Sequence, residues 1–241
     1  MKKRLVIIPT YNECENITDI IDAVFSLPVD FHLLVVDDNS PDGTAQLVEE
    51  LQSTSAQPLF LENRPKKKGL GTAYIHGFKW ALDNDYDAVF QIDADFSHNP
   101  KDLVKMSQIF DREEADVVIG SRYLTGVNVV NWPMKRVLMS WCASKYVKVI
   151  TGLPIEDTTA GFVGYRREVL EKINLDRIKF IGYAFQIEMK YKAFHLGFNV
   201  KEIPIIFTDR TRGKSKMSSK IITEAVFGII QMRFRKLFGK L

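Results

Sequence analysis

Two aspartates stand one residue apart directly after a short apolar run. Asp93 and Asp95 flank Ala94 in the segment QIDAD. If the backbone bends after the strand, both carboxylates can face one divalent cation. Oxygen ligands of this kind suit Mg²⁺ or Mn²⁺, with phosphate oxygens completing the coordination shell. An isolated Asp-x-Asp tripeptide also arises by chance. Its position after an apolar strand favours a metal site at Asp93 and Asp95, with Mg²⁺ or Mn²⁺ as the cofactor.

Other predicted strands also end in polar side chains. Pro9 closes the first strand and is followed by residues 10–13, Asp37 and Asp38 close the second, and Arg122 follows the fifth. The carboxyl ends of parallel strands meet at one edge of a sheet, where helix N-termini and turn amides bind ligands. A single polar strand end is common turn chemistry. Four of them at one edge indicate a binding site.

Alternating patterns indicate the elements that must position these residues. Short apolar, β-branched runs predict strands at residues 5–9, 33–36, 58–61, 88–92 and 117–119, and amphipathic stretches predict helices at 17–27, 45–51, 72–82 and 103–110. This series predicts an α/β fold with a mostly parallel central sheet and helices on both faces. After Arg122 the alternation weakens, with helices predicted at 135–150 and 183–194 and strands at 161–165 and 200–207.

The chain of 241 residues fits one extended domain followed by a tail. We predict the domain at residues 1–208, with two halves at 1–122 and 123–208. Charge follows a similar division, since the net charge is −10 over residues 1–120 and +13 over residues 121–241. Carboxylates for a cation are therefore expected in the first half, and groups that meet anions in the second.

Composition excludes several classes of protein. Hydrophobic residues make up 46% and charged residues 26% of the chain, which argues against a disordered, collagenous or coiled-coil protein. The two cysteines form no CxxC and the four histidines share no ligand spacing, so the reducing cytosol fits and a zinc site does not. No apolar run is long enough to predict a transmembrane helix, and the N-terminus is interpreted as a strand rather than a signal peptide.

Two glycine-containing segments imitate phosphate-binding loops. The stretch KKKGLGTAYIHG has Tyr74 where a dinucleotide fingerprint needs its third glycine, and the run RGKS is preceded by Thr208 where a P-loop needs its first glycine. Both fingerprints are incomplete, and the sequence has no G-x-S-x-G nucleophile elbow. No nucleic acid is expected among the partners.

Seven motifs in a fixed order carry a family resemblance. They are VIIPTYNE, VVDDNSPDGT, KGLGTAYIHG, QIDADFSHNP, GSRY, DTTAGFVGYRREVL and a last run that ends in DRTRGKSKMS. In this order and spacing the chain resembles family 2 glycosyltransferases of the GT-A fold, and within them the dolichyl- and polyprenyl-phosphate mannosyltransferases. The resemblance spans residues 5–218. VVDDNSPDGT together with the DRxxGxSK pattern is far more specific than Asp-x-Asp alone.

The resemblance implies an inverting sugar transfer. GDP-mannose would be the donor, a dolichyl or polyprenyl monophosphate the acceptor, and a divalent metal the cofactor, with lipid-phosphate β-mannose and GDP as products. A phosphate monoester has its second pKa near 6, so at neutral pH the acceptor is already an anionic nucleophile and needs no strong general base. Such an enzyme is expected in the cytoplasm, peripherally associated with the inner face of the membrane.

The resemblance also makes residues 1–208 a catalytic domain, with a nucleotide and metal half at 1–122 and an acceptor half at 123–208, and it assigns roles to individual residues. Nucleotide-sugar contacts fall on Pro9, Tyr11, Glu13, Val36, Asp38, Asp93, Ala94, Asp95, Ser97, Arg122, Arg210 and Lys216. Asp95 and Arg122 are the catalytic candidates among them. Asp157 is a third candidate, because it stands where other members of the family place a base. Here we expect it to position other groups, with a purely structural role as the alternative.

Alternatives remain for the substrates and for the class of protein. Relatives often read TSGFR where residues 159–163 read TAGFV, so a hydroxyl and a basic group are absent near the acceptor end. One alternative enzyme is a polyprenyl-phosphate glucosyl- or other hexosyltransferase that uses a UDP-sugar. A nucleotidyltransferase would open with a glycine-rich loop, and residues 9–13 contain no glycine. A non-catalytic nucleotide-sugar-binding protein is the alternative of another class, but it would not need both Asp-x-Asp and a basic tail.

The tail, residues 209–241, is predicted to begin with a phosphate-contacting loop. Residues 208–217 carry Arg210 and Lys216 among five charged side chains, with Gly213 as a hinge. Like charges repel in the empty loop, so it is expected to be mobile without ligand and to close over the phosphates when the donor binds, with Arg210 and Lys216 making the contacts.

A helix from about Ser219 is predicted to lie on the membrane surface. Six apolar residues at helical spacing form one stripe: Phe227, Ile230, Phe234, Leu237, Phe238 and Leu241. Basic residues flank the stripe, as in amphipathic helices that bind an anionic membrane interface. The alternative is a stripe packed on the protein's own core or on a second copy of the chain in a homodimer.

Overall fold

The computed structural model describes residues 2–210, 212 and 228–234. Lys216, most of the loop at 208–217 and most of the helix expected from Ser219 therefore lie outside the described residues. Within the described ranges, no helix is both long and apolar enough to cross a bilayer.

Strands and helices alternate along the described chain, as the hydrophobic pattern predicts. The strands are β1 (Arg4–Thr10), β2 (His32–Asp37), β3 (Leu59–Asn63), β4 (Ala88–Gln91), β5 (Val117–Ser121), β6 (Val129–Val130), β7 (Val163–Arg166), β8 (Val200–Pro204) and β9 (Phe207–Thr208). The helices are α1 (Ile17–Phe25), α2 (Thr44–Thr54), α3 (Leu70–Asp83), α4 (Asp102–Asp111), α5 (Met134–Thr151), α6 (Arg167–Lys172) and α7 (Tyr183–His195). A 3-10 turn lies at Leu175–Arg177, and residues 228–234 are helical.

Seven strands form the central sheet in the order β3-β2-β1-β4-β7-β5-β8. The pairs β1–β2, β1–β4, β2–β3 and β5–β8 are parallel, which confirms the predicted mostly parallel sheet. β7 is the exception, since it runs antiparallel between β4 and β5. The register aligns Thr10 with Asp37, so β1 and β2 end side by side and their following loops meet at one edge.

Each face of the sheet carries its own hydrophobic core. Along β1, Leu5 and Ile7 point into the core that includes residues of α3 and α7, while Val6 and Ile8 point into the core that includes residues of α1 and α4. This alternation is the period of two expected for a strand, and a strand that is apolar on both faces is typical of a covered parallel sheet. The predicted helices on both faces are confirmed.

The strand predicted at residues 200–207 is divided in two. β8 pairs with β5, whereas β9 leaves that sheet and pairs with the two-residue strand β6. Ile206, between them, is largely exposed at 61%. A continuous apolar run does not reveal that its end changes partners, so the hydrophobic pattern predicted one strand where the chain forms two.

The glycine-rich segment before and within α3 serves close packing. A Cβ atom on Gly71 would lie 2.8 Å from the Cβ of Phe185 on α7, and one on Gly77 would lie 2.8 Å from Ile7 of β1. The backbone of α3 therefore approaches both its neighbouring helix and the sheet more closely than any residue with a side chain allows. This packing accounts for two of the glycines in the motif that imitates a dinucleotide fingerprint.

Candidate active site

The loops after β1 and β2 form the first wall of the site. Asp37 is buried and accepts hydrogen bonds from the Thr10 hydroxyl at 2.8 Å, and from the Ser40 hydroxyl and N–H at 2.6 and 2.7 Å. The Ser40 hydroxyl in turn accepts a bond from the Asn12 N–H at 3.0 Å. Asp37 thus fixes the two loops to each other, and its role is structural.

Asp38, predicted to hold the nucleoside, is buried against Arg64. The Arg64 Nε donates to Asp38 Oδ1 at 2.6 Å, and its Nη1 donates to the Thr72 hydroxyl of α3 at 2.8 Å. Burial raises the pKa of Asp38, and the Arg64 charge and hydrogen bond only partly offset that rise. Sequence reasoning missed Arg64. The available signal was its position one residue after β3, at the same edge as the other polar strand ends.

The remaining predicted nucleoside contacts differ in accessibility. Tyr11 and Glu13 are half-buried in the loop after β1, and the Lys67 ammonium lies 4.3 Å from the centre of the Tyr11 ring. Pro9 is half-buried and pairs in register with Val36. Val36 itself is completely buried and its side chain belongs to the core. Any contact from Val36 to a nucleoside must therefore come from its main chain.

The two acidic residues of the Asp-x-Asp motif, Asp93 and Asp95, follow β4 as predicted. Asp95 is 6% exposed, accepts the Ser97 N–H at 3.0 Å through Oδ1, and pairs with Arg210 Nη2 at 2.7 Å through Oδ2. Ala94 and Ser97 are buried beside it. Arg210 lies two residues after β9, so the end of the domain reaches back to the motif. Two residues far apart in sequence and predicted for one ligand are thus brought into direct contact.

Asp93 is partly buried, with 39% of its side-chain surface exposed to solvent. Loss of hydration and the neighbouring Asp95 charge raise the pKa of Asp93 to about 7, against the opposing charge of Arg210. Glu13 adds to the rise. The negative charges of this corner are therefore not fully compensated by protein cations, which is the electrostatic condition that a divalent cation would relieve.

The donor set fits a metal that also binds its substrate. Within the described part of the chain, no group of three or more Asp, Glu, His or Cys side chains is arranged to enclose an ion. Asp93 and Asp95 alone supply two hard oxygen donors. Mg²⁺ typically takes one or two carboxylates and completes its shell with waters and substrate phosphates. The two aspartates suit a cation of that kind and do not suit a closed structural site.

Arg122 and Asp157 form a buried ion pair, which is the second group of charged residues at the site. Asp157 is 0% exposed and accepts two parallel bonds at 2.7 Å from the Arg122 Nε and Nη2, plus one at 3.0 Å from the Arg122 N–H. Nη2 also donates to the Thr159 hydroxyl at 2.8 Å. Burial alone would raise the pKa of Asp157, but the Arg122 charge and its hydrogen bonds outweigh burial and lower that pKa. Both carboxylate oxygens are engaged, which supports the positioning role predicted for Asp157 and leaves no basis for a general base.

His98 lies between the Asp93–Asp95 pair and the Arg122–Asp157 pair, and sequence reasoning missed it as a site residue. It is 4% exposed, stacks on Phe162 with ring centres 5.0 Å apart, and has Nδ1 3.8 Å from Asp93 Oδ2. Burial lowers the pKa of His98 to about 4, and the charges of Asp95, Arg122 and Asp157 all act on it. His98 is therefore neutral at pH 7 and lies between the acidic corner and the Arg122–Asp157 pair. The sequence signal was its position three residues after Asp95.

Together these residues divide one sheet edge by charge. Carboxylates collect beyond β4, whereas guanidinium groups arrive from β5 and from the residues after β9. An arrangement of this kind can hold a cation with a diphosphate on one side and a second anion on the other. Lys216, also predicted to contact the donor, lies outside the described residues.

Comparison with known proteins agrees with this geometry. Residues 5–174 match the protein family described as glycosyl transferase family 2. The chain is 44% identical over 234 residues to a polyprenol monophosphomannose synthase from Mycolicibacterium smegmatis, covering 97% of this chain and 88% of that protein. It is 40% identical over 225 residues to an undecaprenyl-phosphate mannosyltransferase from Micrococcus luteus, covering 93% and 91% respectively.

Solved structures share the fold at lower sequence identity. Glucosyl-3-phosphoglycerate synthase from Mycobacterium tuberculosis, in complex with Mn²⁺, UDP and glucosyl-3-phosphoglycerate, superposes with a TM-score of 0.68 at 19% identity, covering 96% of this chain and 80% of that one. Residues 1–349 of TarS from S. aureus, in complex with UDP-GlcNAc, give a TM-score of 0.65 at 20% identity, covering 96% and 65%. Another structure of the synthase contains Mg²⁺ and UDP.

Proposed function

The chain belongs to glycosyl transferase family 2 and is therefore a glycosyltransferase, and we propose that it transfers mannose from GDP-mannose to a dolichyl or polyprenyl monophosphate. The products would be lipid-phosphate β-mannose and GDP. The names of two relatives at 44% and 40% identity over almost the whole chain support mannose and a polyprenyl phosphate. The assignment of the base as guanine rests on the motif resemblance.

The observation that carries this proposal is the meeting of Asp95, Arg210 and the Arg122–Asp157 pair at one sheet edge. Asp93 and Asp95 would hold Mg²⁺ or Mn²⁺. The cation would supply electrostatic stabilisation of the GDP leaving group. Solved proteins of the same fold contain Mn²⁺ or Mg²⁺ together with UDP, which supports a divalent cofactor. Arg210, already in contact with Asp95, can neutralise a phosphate oxygen next to that cation.

Arg122 is proposed to face the acceptor phosphate or the sugar. Its guanidinium is held on one side by Asp157 and Thr159, so its direction is fixed before a ligand arrives. A fixed cation needs little reorganisation when charge develops, which is the main source of electrostatic catalysis. The acceptor phosphate carries its own negative charge at pH 7 and can attack the anomeric carbon directly. Attack opposite the leaving diphosphate inverts an α-linked donor to a β-linked product.

A substrate panel tests the proposed reaction. The protein would be offered GDP-mannose, UDP-glucose and UDP-GlcNAc, each with short and long polyprenyl phosphates and with Mg²⁺ or Mn²⁺. We expect a mannosyl phospholipid from GDP-mannose only. The second candidate, a hexosyltransferase that uses a UDP-sugar, is favoured by the UDP bound in the solved proteins of this fold. A glycolipid formed from either UDP-sugar and none from GDP-mannose would establish that candidate and refute ours.

Arg210→Met is expected to raise the Mn²⁺ affinity of the nucleotide-free protein about three- to tenfold, the equivalent of a charge pair worth roughly 1 kcal/mol. The Arg210 guanidinium competes with a cation for Asp95 at 2.7 Å, so its removal leaves the carboxylate to the metal. Free Mn²⁺ measured by electron paramagnetic resonance gives the affinity. Arg212→Met is the matched control, since Arg212 pairs with Asp19 at 3.0 Å on the surface. Equal Mn²⁺ affinity in wild type and Arg210→Met would contradict a metal site at Asp95.

The helical residues 228–234 support the proposed membrane contact. Ile229 and Met232 are buried at 2% and 5% exposure and belong to the core, whereas Ile230 and Phe234 are exposed at 37% and 56%. The two described members of the predicted apolar stripe thus face away from the protein. This arrangement favours a partner outside the chain, and the basic residues of the tail favour an anionic lipid surface as that partner.

Helix α5 carries further exposed apolar side chains. Its exposed large apolar side chains are Met134, Leu138, Met139, Trp141 and Val149. Arg233 Nη1 donates to the carbonyl of Thr151 at the end of α5 at 3.5 Å, so the two helices touch. Ser144 of α5 lies 3.3 Å from the Thr159 hydroxyl, next to Arg122. A lipid surface met by both helices would present its phosphates close to the acceptor half, at the inner face of the membrane.

The double substitution Ile230→Ser, Phe234→Ser is expected to weaken binding to anionic vesicles on the order of tenfold, because exposed apolar area that enters the interface is lost while Ile229 and Met232 keep the helix on the core. Sedimentation with phosphatidylserine-containing vesicles measures the binding. Leu196→Ser, another exposed apolar position, is the control. If the double variant sediments like wild type but its dimer fraction falls in analytical ultracentrifugation, the stripe is a homodimer contact and the membrane proposal is wrong.

A further inference from the structure

A buried lysine lies beneath the loop that holds Arg122. Lys190 of α7 is 0% exposed, and its Nζ donates to the carbonyl of Thr158 at 2.8 Å and to that of Ala160 at 2.6 Å. Lysine is almost never fully buried unless its ammonium is paired. Here the partners are two main-chain carbonyls on one short loop, so the contact acts on the path of that loop rather than on another side chain.

The loop in question connects α5 to β7 and carries the Arg122 contacts. Asp157 and Thr159 bind the guanidinium, while Thr158 and Ala160 alternate with them and bind Lys190. From β8, the Glu202 carboxylate accepts the Glu156 and Asp157 N–H groups at 2.8 and 2.9 Å. The loop is therefore held from α7 and β8, and its other face holds Arg122.

We propose that Lys190 is a positioning residue for the transfer: by binding the Thr158 and Ala160 carbonyls it keeps Asp157 and Thr159 in the geometry that orients Arg122 toward the reacting phosphate. Lys190 itself contacts neither donor nor acceptor. This proposal rests on the proposed function in one respect, because it assumes that Arg122 faces a phosphate or a sugar. A misplacement of about 1 Å at such a group can reduce turnover on the order of a hundredfold.

The electrostatic surroundings agree with a functional rather than a stabilising role. Burial lowers the pKa of Lys190 to about 7, although Asp157 and Glu202 raise it and Arg122 lowers it further. The downward shift means that the folded protein disfavours the charged form of Lys190 relative to water. Strongly perturbed groups of this kind cluster at functional sites.

Lys190→Met is expected to lower kcat ten- to a hundredfold with little change in the affinity for GDP, since the Asp38 and Arg64 side of the cleft is untouched. Lys192→Met is the matched control: Lys192 is also largely buried on α7, points to another side of the helix, and binds the Arg177 carbonyl and Glu188. Steady-state kinetics, GDP calorimetry and thermal unfolding would be measured on both variants. Wild-type kcat in Lys190→Met would overturn the proposal. An equal loss of kcat in Lys192→Met at the same fall in folded fraction would also overturn it, since stability alone would then explain the loss.

A double-mutant cycle separates positioning from an independent role. Arg122→Lys keeps the charge but loses the two-pronged contact with Asp157. If Lys190 acts through Arg122, adding Lys190→Met to Arg122→Lys should change kcat less than twofold, whereas independent effects would multiply. Multiplicative losses would refute the proposal. The cycle can be run on whichever nucleotide sugar the substrate panel identifies, so failure of the mannose assignment and failure of the Lys190 proposal are distinct results.

Discussion

Asp95→Asn is expected to reduce turnover by about 10²–10³-fold or more while leaving the fold intact. The asparagine oxygen can still accept the Ser97 N–H, so the turn after β4 keeps its hydrogen bond. What is lost is the negative charge that would bind the cation and that now attracts Arg210. Turnover with saturating substrates and the melting temperature, measured on the same preparation, test the prediction. Asp93→Asn should behave similarly.

Asp176→Asn serves as the control for a lost carboxylate. Asp176 is an exposed residue of the 3-10 turn and pairs with Lys79 of α3. Its turnover should match wild type. Full activity of the wild-type enzyme in excess EDTA would contradict the metal role of Asp95, whatever the variants do.

Asp157→Asn is expected to cost both stability and activity. The neutral amide cannot accept both Arg122 bonds, and it leaves a buried guanidinium without a counter-charge. Breaking a buried pair in this way costs about 3–5 kcal/mol, which for a chain of this size lowers the melting temperature on the order of 10 °C. Loss of the fixed Arg122 direction should reduce kcat more than a hundredfold. Thermal unfolding and kinetics below the new melting temperature measure the two effects separately.

The stability contributed by Asp157 is expected to depend on pH in a definite direction. The pKa of Asp157 in the folded protein is below 3.8, so its contribution to stability is present above that value and is lost as the pH falls through the folded pKa. The difference in melting temperature between wild type and Asp157→Asn should therefore be full at pH 7 and shrink below about pH 4. Asp111→Asn, which breaks a surface pair with Arg4, should cost less than about 1 kcal/mol. A constant difference down to pH 2 would mean that Asp157 does not carry the charge in the pair.

Local patterns predicted most of the fold and the location of the site. A strand that is apolar on both faces and is followed by an amphipathic helix indicates a covered parallel sheet, so the α/β architecture and the mostly parallel sheet were predicted and are confirmed. Polar residues at strand ends located the site edge because parallel strands end together, as Thr10 and Asp37 do. The individual ligand contacts of Tyr11, Glu13 and Arg210 stay predictions.

The sequence did not show which partners some residues meet across the fold, even where their position near a strand end was a signal. Arg64, His98 and Lys190 each meet partners from another part of the chain, namely Asp38, Phe162 and the loop at Thr158. The orientation of β7 was equally hidden, because the sequence of a four-residue strand carries no signal of its direction in the sheet. Tertiary packing determines the partners of these residues and the direction of β7, and no spacing pattern in a single sequence indicates them.

The antiparallel β7 between β4 and β5 constrains how the chain can fold during synthesis. β4 and β5 leave the ribosome before β7, and about 40 further residues must be added before the strand that joins them exists. At about 5–20 residues per second, this leaves two unpaired strand edges facing each other for several seconds. Unpaired edges of this kind promote aggregation. The centre of the sheet closes late, so the nascent protein is expected to depend on chaperones between the emergence of β5 and that of β7.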